Sequence, residues 1–313
     1  EITYGDWSSD VCSSDLSAKN LTADIESNRG NCIYMPTTQD TLAHLRKWRL
    51  ERDDTSDPNG RIYKDQNGNV YHSVTRILKE TSDKKALERW MARLGEAEAT
   101  QQRDIAATRG TLAHNQAEYL LKTAQQLARN TANKRNAIHW DDNGLARIPA
   151  PITQWALKRV RPNVPRVGWS ASGYARGLSD WIAVNTTEIF ASEFSIHHPA
   201  GFAGTCDALI GMKNNELVLA DWKTSVGRKT TTDSDGLERL PDHHAYIDQC
   251  GAYSLGLRYL TGLQPTGAII VLARRCGPPN VHSMSLRDLA EAEESFMTRV
   301  ESYFKNLQES VST

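Results

Sequence analysis

Leu217-Val-Leu-Ala-Asp221-Trp-Lys223 is a short apolar run that delivers two charges at its end, and it decides the fold. Two similar stretches precede it, so residues 188–196, 202–210 and 216–223 all read as strands rich in Ile, Phe, Val and Leu. The connections, Pro199-Ala200-Gly201 and Lys213-Asn214-Asn215, are short enough to require an antiparallel meander. A turn centred on Asn214 puts Asp207 opposite Asp221, and one centred on Ala200 puts Glu193 opposite Asp207. Directly opposed side chains have Cβ atoms about 4.5–5.5 Å apart. Three carboxylates in a row repel one another, and a bound divalent cation relieves that cost. Oxygen ligands suit Mg²⁺ or Mn²⁺.

Lys223 lies two residues after Asp221, so a strand places both on one face. Its ammonium could pair with the acids, orient a water or stabilise charge on a phosphate. An ion pair that only fixes strand register is the structural alternative. Gly204-Thr205 ahead of Asp207 allows close approach of backbone or ligand. Downstream, Gln249 and Tyr253 share a helix face, as do His114 and Glu118 upstream. A neutral His114 imidazole could complete a metal's coordination, although an exposed helix histidine is the plainer reading.

Around this core the chain reads as helices, three strands, helix, two strands and helix. A hairpin is expected from Arg61–Asp65 and Asn69–His72 around Asn67-Gly68, with Ser73 capping the helix that follows. Helical periodicity marks Thr41–Glu51, Asp83–Ala97, Thr111–Arg129, Pro151–Val160, Asp242–Leu260 and Leu286–Leu307; Gly267–Ala273 and Val281–Met284 read as strands. The expected fold class is α/β, a central mixed β-sheet with an antiparallel meander, flanked by helices and preceded by a helical part.

The 313 residues are 39% hydrophobic and 24% charged, enough for one large core. No apolar run approaches the 18 residues of a membrane span, so no membrane partner is expected. Five cysteines without C-x-x-C spacing argue against a zinc knuckle, and no G-x-x-x-x-G-K-[ST] loop is present, so neither ATP nor an iron–sulfur cluster is expected. Net charge is −1, yet Arg76–Arg135 holds twelve Lys and Arg against seven Asp and Glu. Lys158, Arg159, Arg161, Arg166 and Arg176 form a second run with no acid between them. Any phosphate-binding surface is therefore local.

Glu193, Gly204-Thr205-x-Asp207, Asp221-Trp222-Lys223-Thr224-Ser225 and Gln249-x-x-x-Tyr253, in this order, resemble the PD-(D/E)xK nuclease superfamily and its RecB-like branch. Tyr71-His-Ser-Val-Thr-Arg-Ile-Leu78 and Arg109-Gly-Thr-Leu-Ala-His114 are similar to exonucleases of the mitochondrial genome maintenance type and their phage relatives. The resemblance implies a restriction-endonuclease-like fold and metal-dependent hydrolysis of phosphodiesters. It implies His114, Asp207, Asp221 and the Trp222 carbonyl as metal ligands for one or two Mg²⁺ or Mn²⁺ ions. Lys223 is then the catalytic lysine, Glu193 an outer or second-metal acid, and Gln249 and Tyr253 a downstream motif. Arg109, Lys158, Arg159 and Arg161 are expected to bind substrate, with Trp90 and Tyr119 stacking on a single strand. The implied activity is exonucleolytic, on single-stranded DNA in replication, repair or recombination, with a single-strand-binding or recombination protein as partner. An endonuclease or flap-type nuclease, or a non-catalytic DNA-binding relative, is the alternative.

The expected organisation is a nuclease domain over 61–308, with a helical DNA-guiding part at 61–165 and a catalytic core at 166–308. A polar extension at 17–60 precedes it and a tail at 309–313 follows. Residues 6–16, Asp-Trp-Ser-Ser-Asp-Val-Cys-Ser-Ser-Asp-Leu, look like a translated sequencing adapter, so 1–16 stand outside the fold. A reducing cytoplasm, bacterial or of a phage-infected host, is the expected location.

Overall fold

One strand, Phe202–Gly211, organises the sheet, because three other strands pair with it. The structure is a computed structural model describing residues 40–42, 45, 50–55, 57, 60–213, 216–225, 231–232, 238–239 and 245–311. The adapter-like segment, most of the helix expected over 41–51, the hairpin tip at 214–215, and His243 and His244 lie outside these residues.

In chain order the first strands are β1 (Glu51–Asp53), β2 (Ile62–Lys64) and β3 (Val70–Ser73). Helices α1 (Val74–Thr81), α2 (Lys85–Leu94) and α3 (Glu96–Lys134) follow. A small hairpin, β4 (His139–Trp140) and β5 (Ala146–Arg147), leads to α4 (Ala150–Val160), a 3₁₀ turn at Arg161–Asn163 and α5 (Trp169–Asn185). The meander is β6 (Glu188–His198), β7 (Phe202–Gly211) and β8 (Leu217–Thr224). The short pair β9 (Thr231–Thr232) and β10 (Glu238–Arg239) precedes α6 (Ala245–Thr261), β11 (Gly267–Ala273), β12 (Asn280–Ser285) and α7 (Leu286–Val311).

The eight-stranded mixed sheet runs β1-β2-β3-β7-β8-β11-β12, with β6 also paired to β7. β6 lies antiparallel along the whole of one edge of β7. On the other edge, β3 pairs in parallel at Phe202 and Ala203, and β8 pairs antiparallel from Ala208 to Gly211. Between these two partners the edge of β7 has no ladder pair, so the sheet forks there. Helix α6 is the crossover that β8 and the parallel β11 require.

Each face of the sheet carries its own core. Leu217, Leu219, Ile270 and Leu272 pack with α1, α6 and α7, whereas Val218, Ala220, Trp222 and Val271 pack with α3, α4 and α5. The alternation in β8 follows the two-residue strand period. Helix α3 buries its side through Ala113, Ala117, Ala124, Ala128 and Ala132, small residues that bring its axis close to the sheet. The same helix includes residues 98–110, where only Ala99, Ala106 and Arg109 are buried, too little apolar contrast for the sequence pattern to mark.

The expected hairpin forms over 62–73, with Asp65 accepting backbone N–H bonds from Asn67 and Asn69 and with Gly68 at φ +82°. Ser73 Oγ accepts the Arg76 N–H and caps α1, as expected. Residues 51–53, read as part of a polar extension, form β1 of the main sheet, and Leu42 and Leu45 reach the core.

Helices α6 and α7 are tied by two ion pairs, Arg299–Asp248 at 2.7 Å and Arg258–Glu293 at 2.7 Å. Their closest crossing is at Gly251, where a Cβ would lie 2.4 Å from the Ala292 carbonyl oxygen. Gly251→Ala should therefore lower stability by about 1–3 kcal/mol through overpacking. Chemical denaturation of both proteins measures this, and equal midpoints would refute the close crossing.

Candidate active site

The expected register holds: Ala208 pairs with Ala220 and Cys206 with Phe194, which sets Asp207 level with Asp221 on one side and Glu193 on the other. The three acids nevertheless do not stand in one row. Cys206 and Ala208 pack into opposite cores although two residues apart, so the pleat of β7 breaks at Asp207. Opposite the break, Glu193 has φ +48°, a left-handed conformation that costs a non-glycine residue about 1–2 kcal/mol. Strain of this kind persists where surrounding structure imposes it, often at functional sites.

The break brings Asp207 and Glu193 together with His114 of α3. Ligand atoms of His114, Glu193 and Asp207 all lie within 4.8 Å of one another. His114 Nδ1 stands 3.2 Å from Asp207 Oδ1. The other Asp207 oxygen accepts the Trp222 backbone N–H at 2.6 Å, which bridges the fork to β8. One turn before His114, Gly110 faces Thr224 at the end of β8; a Cβ there would lie 3.7 Å from the threonine hydroxyl, an ordinary contact.

Asp221 turns instead toward Lys223, whose Nζ lies 2.7 Å from Asp221 Oδ2 and 5.0 Å from the centre of the Tyr246 ring. Both residues lie on the strand face that packs with α6, the face of Leu217 and Leu219. On α6, Gln249 donates to the Tyr253 hydroxyl at 2.6 Å. Tyr253 also explains Gly204, because a Cβ on that glycine would come within 2.8 Å of the tyrosine ring. The close approach expected at Gly204 is thus made by this side chain. Thr205 shares a 3.3 Å hydrogen bond with Tyr63 of β2.

Electrostatics follow from this crowding. Burial raises Glu193, and the Asp207 charge raises it further, to about 8. Burial opposes the His114 imidazolium, but Asp207 outweighs it and lifts His114 to about 9. Asp207 is lowered against its burial by His114, Lys223 and the Trp222 N–H. Asp221 is raised to about 6 by burial and by Asp207, with Lys223 pulling the other way. One imidazole and two carboxylates, in mutual reach and carrying protons that a cation would displace, fit a hard divalent ion.

The expected substrate-binding residues do not join this cluster. Arg109 is buried, with its guanidinium 4.8 Å from the centre of the Tyr174 ring, where it ties α3 to α5. Lys158 and Arg159 are exposed on the last turn of α4, and Arg161 pairs with Asp180 of α5. Trp90 is buried rather than available for stacking, while Tyr119 is exposed. Helix α5 itself escaped the sequence reading, although Ala171, Tyr174, Ala175, Leu178 and Ile182 carry a helical spacing that marks it.

The profile of the PD-(D/E)XK nuclease superfamily matches residues 87–312, most of the chain. The chain belongs to this superfamily. A search of curated proteins finds no match. The mixed sheet with helices on both faces is the restriction-endonuclease-like arrangement of that superfamily. Within the match fall the His114/Glu193/Asp207 cluster, Asp221 and Lys223.

Binding a cation requires His114 and Glu193 to lose protons, so metal affinity should rise with pH up to about 9. The apparent Mn²⁺ affinity, read by paramagnetic titration, should increase at least about tenfold from pH 6 to pH 8. A pH-independent affinity would place the cation elsewhere.

Proposed function

We propose that this superfamily member is a divalent-metal-dependent deoxyribonuclease, and specifically an exonuclease that degrades single-stranded DNA from its ends during replication, repair or recombination in a bacterium or phage. The observation that carries the hydrolytic reading is the meeting of His114, Glu193 and Asp207 with the Asp221–Lys223 pair at the fork of the sheet. The exonuclease reading rests on the resemblance of the 71–78 and 109–114 segments.

Asp207 and His114, with Glu193 or Asp221, would hold Mg²⁺ or Mn²⁺, which would supply a water of lowered pKa and a counter-charge for the phosphate. The residues divide the remaining work. The Trp222 N–H fixes one oxygen of Asp207, leaving the other on the His114 side. Lys223 is half-buried and held by Asp221, so its ammonium meets a phosphate oxygen with little reorganisation. Its charge is secure, because Asp221 and Asp207 raise its pKa against the effect of burial. Gln249 and Tyr253 brace the α6 side of the strands, where Tyr253 packs on Gly204.

End-labelled linear and circular single-stranded DNA, each with Mg²⁺, Mn²⁺ or EDTA, test this reading. The parent should degrade only the linear strand, and only with metal. Asp221→Ala should abolish cleavage with the fold intact, and Lys223→Ala should lose on the order of a hundredfold or more in rate while still binding metal. Full activity of Asp221→Ala would overturn the site assignment, and cleavage of the circle would make the enzyme an endonuclease.

A further inference from the structure

Trp169 is 82% exposed, the highest value among the exposed large apolar side chains described. It opens α5, and the guanidinium of Arg275 lies 4.9 Å from the centre of its ring. Main-chain packing fixes this pairing. A Cβ on Gly173 would stand 2.0 Å from the Arg275 carbonyl oxygen, and one on Gly177 would stand 3.6 Å from that of Gly277. Helix α5 is thus pressed directly onto the turn between β11 and β12. Arg166 just ahead of α5, Arg176 within it and Arg274 in the turn are exposed, and no acid occurs from Lys158 to Ser179.

The pair stands at the same end of the sheet as the acids. Ala273 at the end of β11 is registered with Thr224 of β8, and the Ser225 N–H donates to the Ala273 carbonyl at 3.0 Å. Arg275 follows two residues later, in the turn just past this end of the strand. The connection is continuous on the helical side as well. Tyr174 of α5 carries Arg109 of α3, and the next residue, Gly110, faces Thr224.

We propose that Trp169 and Arg275 form a stacking platform for one unpaired base of a single-stranded DNA whose backbone continues to the site of hydrolysis. This rests on the functional reading above. An open indole face takes any base without regard to sequence, and stacked arginine both stiffens the ring and faces the phosphate beside that base. Charge complementarity favours a nucleic acid over an apolar protein surface here. A paired base has no free face to offer, so the platform selects for single strands.

The test measures binding of a labelled oligothymidylate to the full chain in EDTA by fluorescence anisotropy. Trp169→Ala should weaken binding about tenfold and Trp169→Phe by less than about threefold, since one ring-stacked base is at stake. Arg275→Ala should lower the slope of log affinity against log salt by about one. Removing a single base at one position of the oligomer should weaken the parent about tenfold and leave Trp169→Ala unaffected. Affinities of Trp169→Ala and Arg275→Ala equal to the parent's, or base-removal losses that simply add to the Trp169→Ala loss, would overturn the platform. Cleavage of the same oligomer on adding Mg²⁺ is read in parallel. A parent that cleaves but is indifferent to Trp169 overturns the platform alone, and one that neither binds nor cleaves overturns the nuclease reading with it.

Discussion

The hydrogen bond from the Trp222 N–H to Asp207 joins two strands at the place where their ladder has just ended. β7 and β8 pair from Gly211 to Ala208 and then diverge, because β3 takes over the edge of β7 at Ala203. A side chain replaces a backbone partner at the divergence, so an ionised carboxylate is bound into the framework of the sheet. His114 reaches the same carboxylate from α3, which packs beside the end of β8. Sheet, helix and acid are therefore mutually dependent: moving any one changes the surroundings of the others.

This arrangement explains what could be read from the amino-acid order and what could not. Turn positions and alternating apolar residues are local properties, so the meander and the levels of Glu193, Asp207 and Asp221 followed from simple arithmetic. That arithmetic assumes an unbroken pleat. The left-handed backbone of Glu193 and the exchange of faces between Cys206 and Ala208 arise from packing two cores against one strand. No residue type at these positions announces that break. Glu193 therefore joins His114 and Asp207, while Asp221 is given to Lys223.

Long-range placement was the other hidden quantity. Arg109 looked like a surface base on a basic helix, yet it lies inside against Tyr174. The count of charges in a segment does not say which way each one faces. Helix α5 is hidden for a different reason: its buried face mixes Tyr174, Leu178 and Ile182 with the small residues Ala171, Ala175, Ser179 and Ala183, so its apolar contrast is low. Its helical spacing was nonetheless present.

The fork has a consequence for how the molecule breathes. A central strand is ordinarily the last place where amide protons exchange with solvent, because both its edges are closed. From Gly204 to Cys206 only the β6 edge of β7 is laddered, and Asp207 has no ladder partner on either edge. Amides of that stretch facing the fork are held by local contacts rather than by the cooperative unit of the sheet, so they mark a weak seam through an otherwise slow-exchanging strand. Whatever spans β7 and β8 at that seam closes it, and occupancy of the site becomes readable as protection of backbone protons.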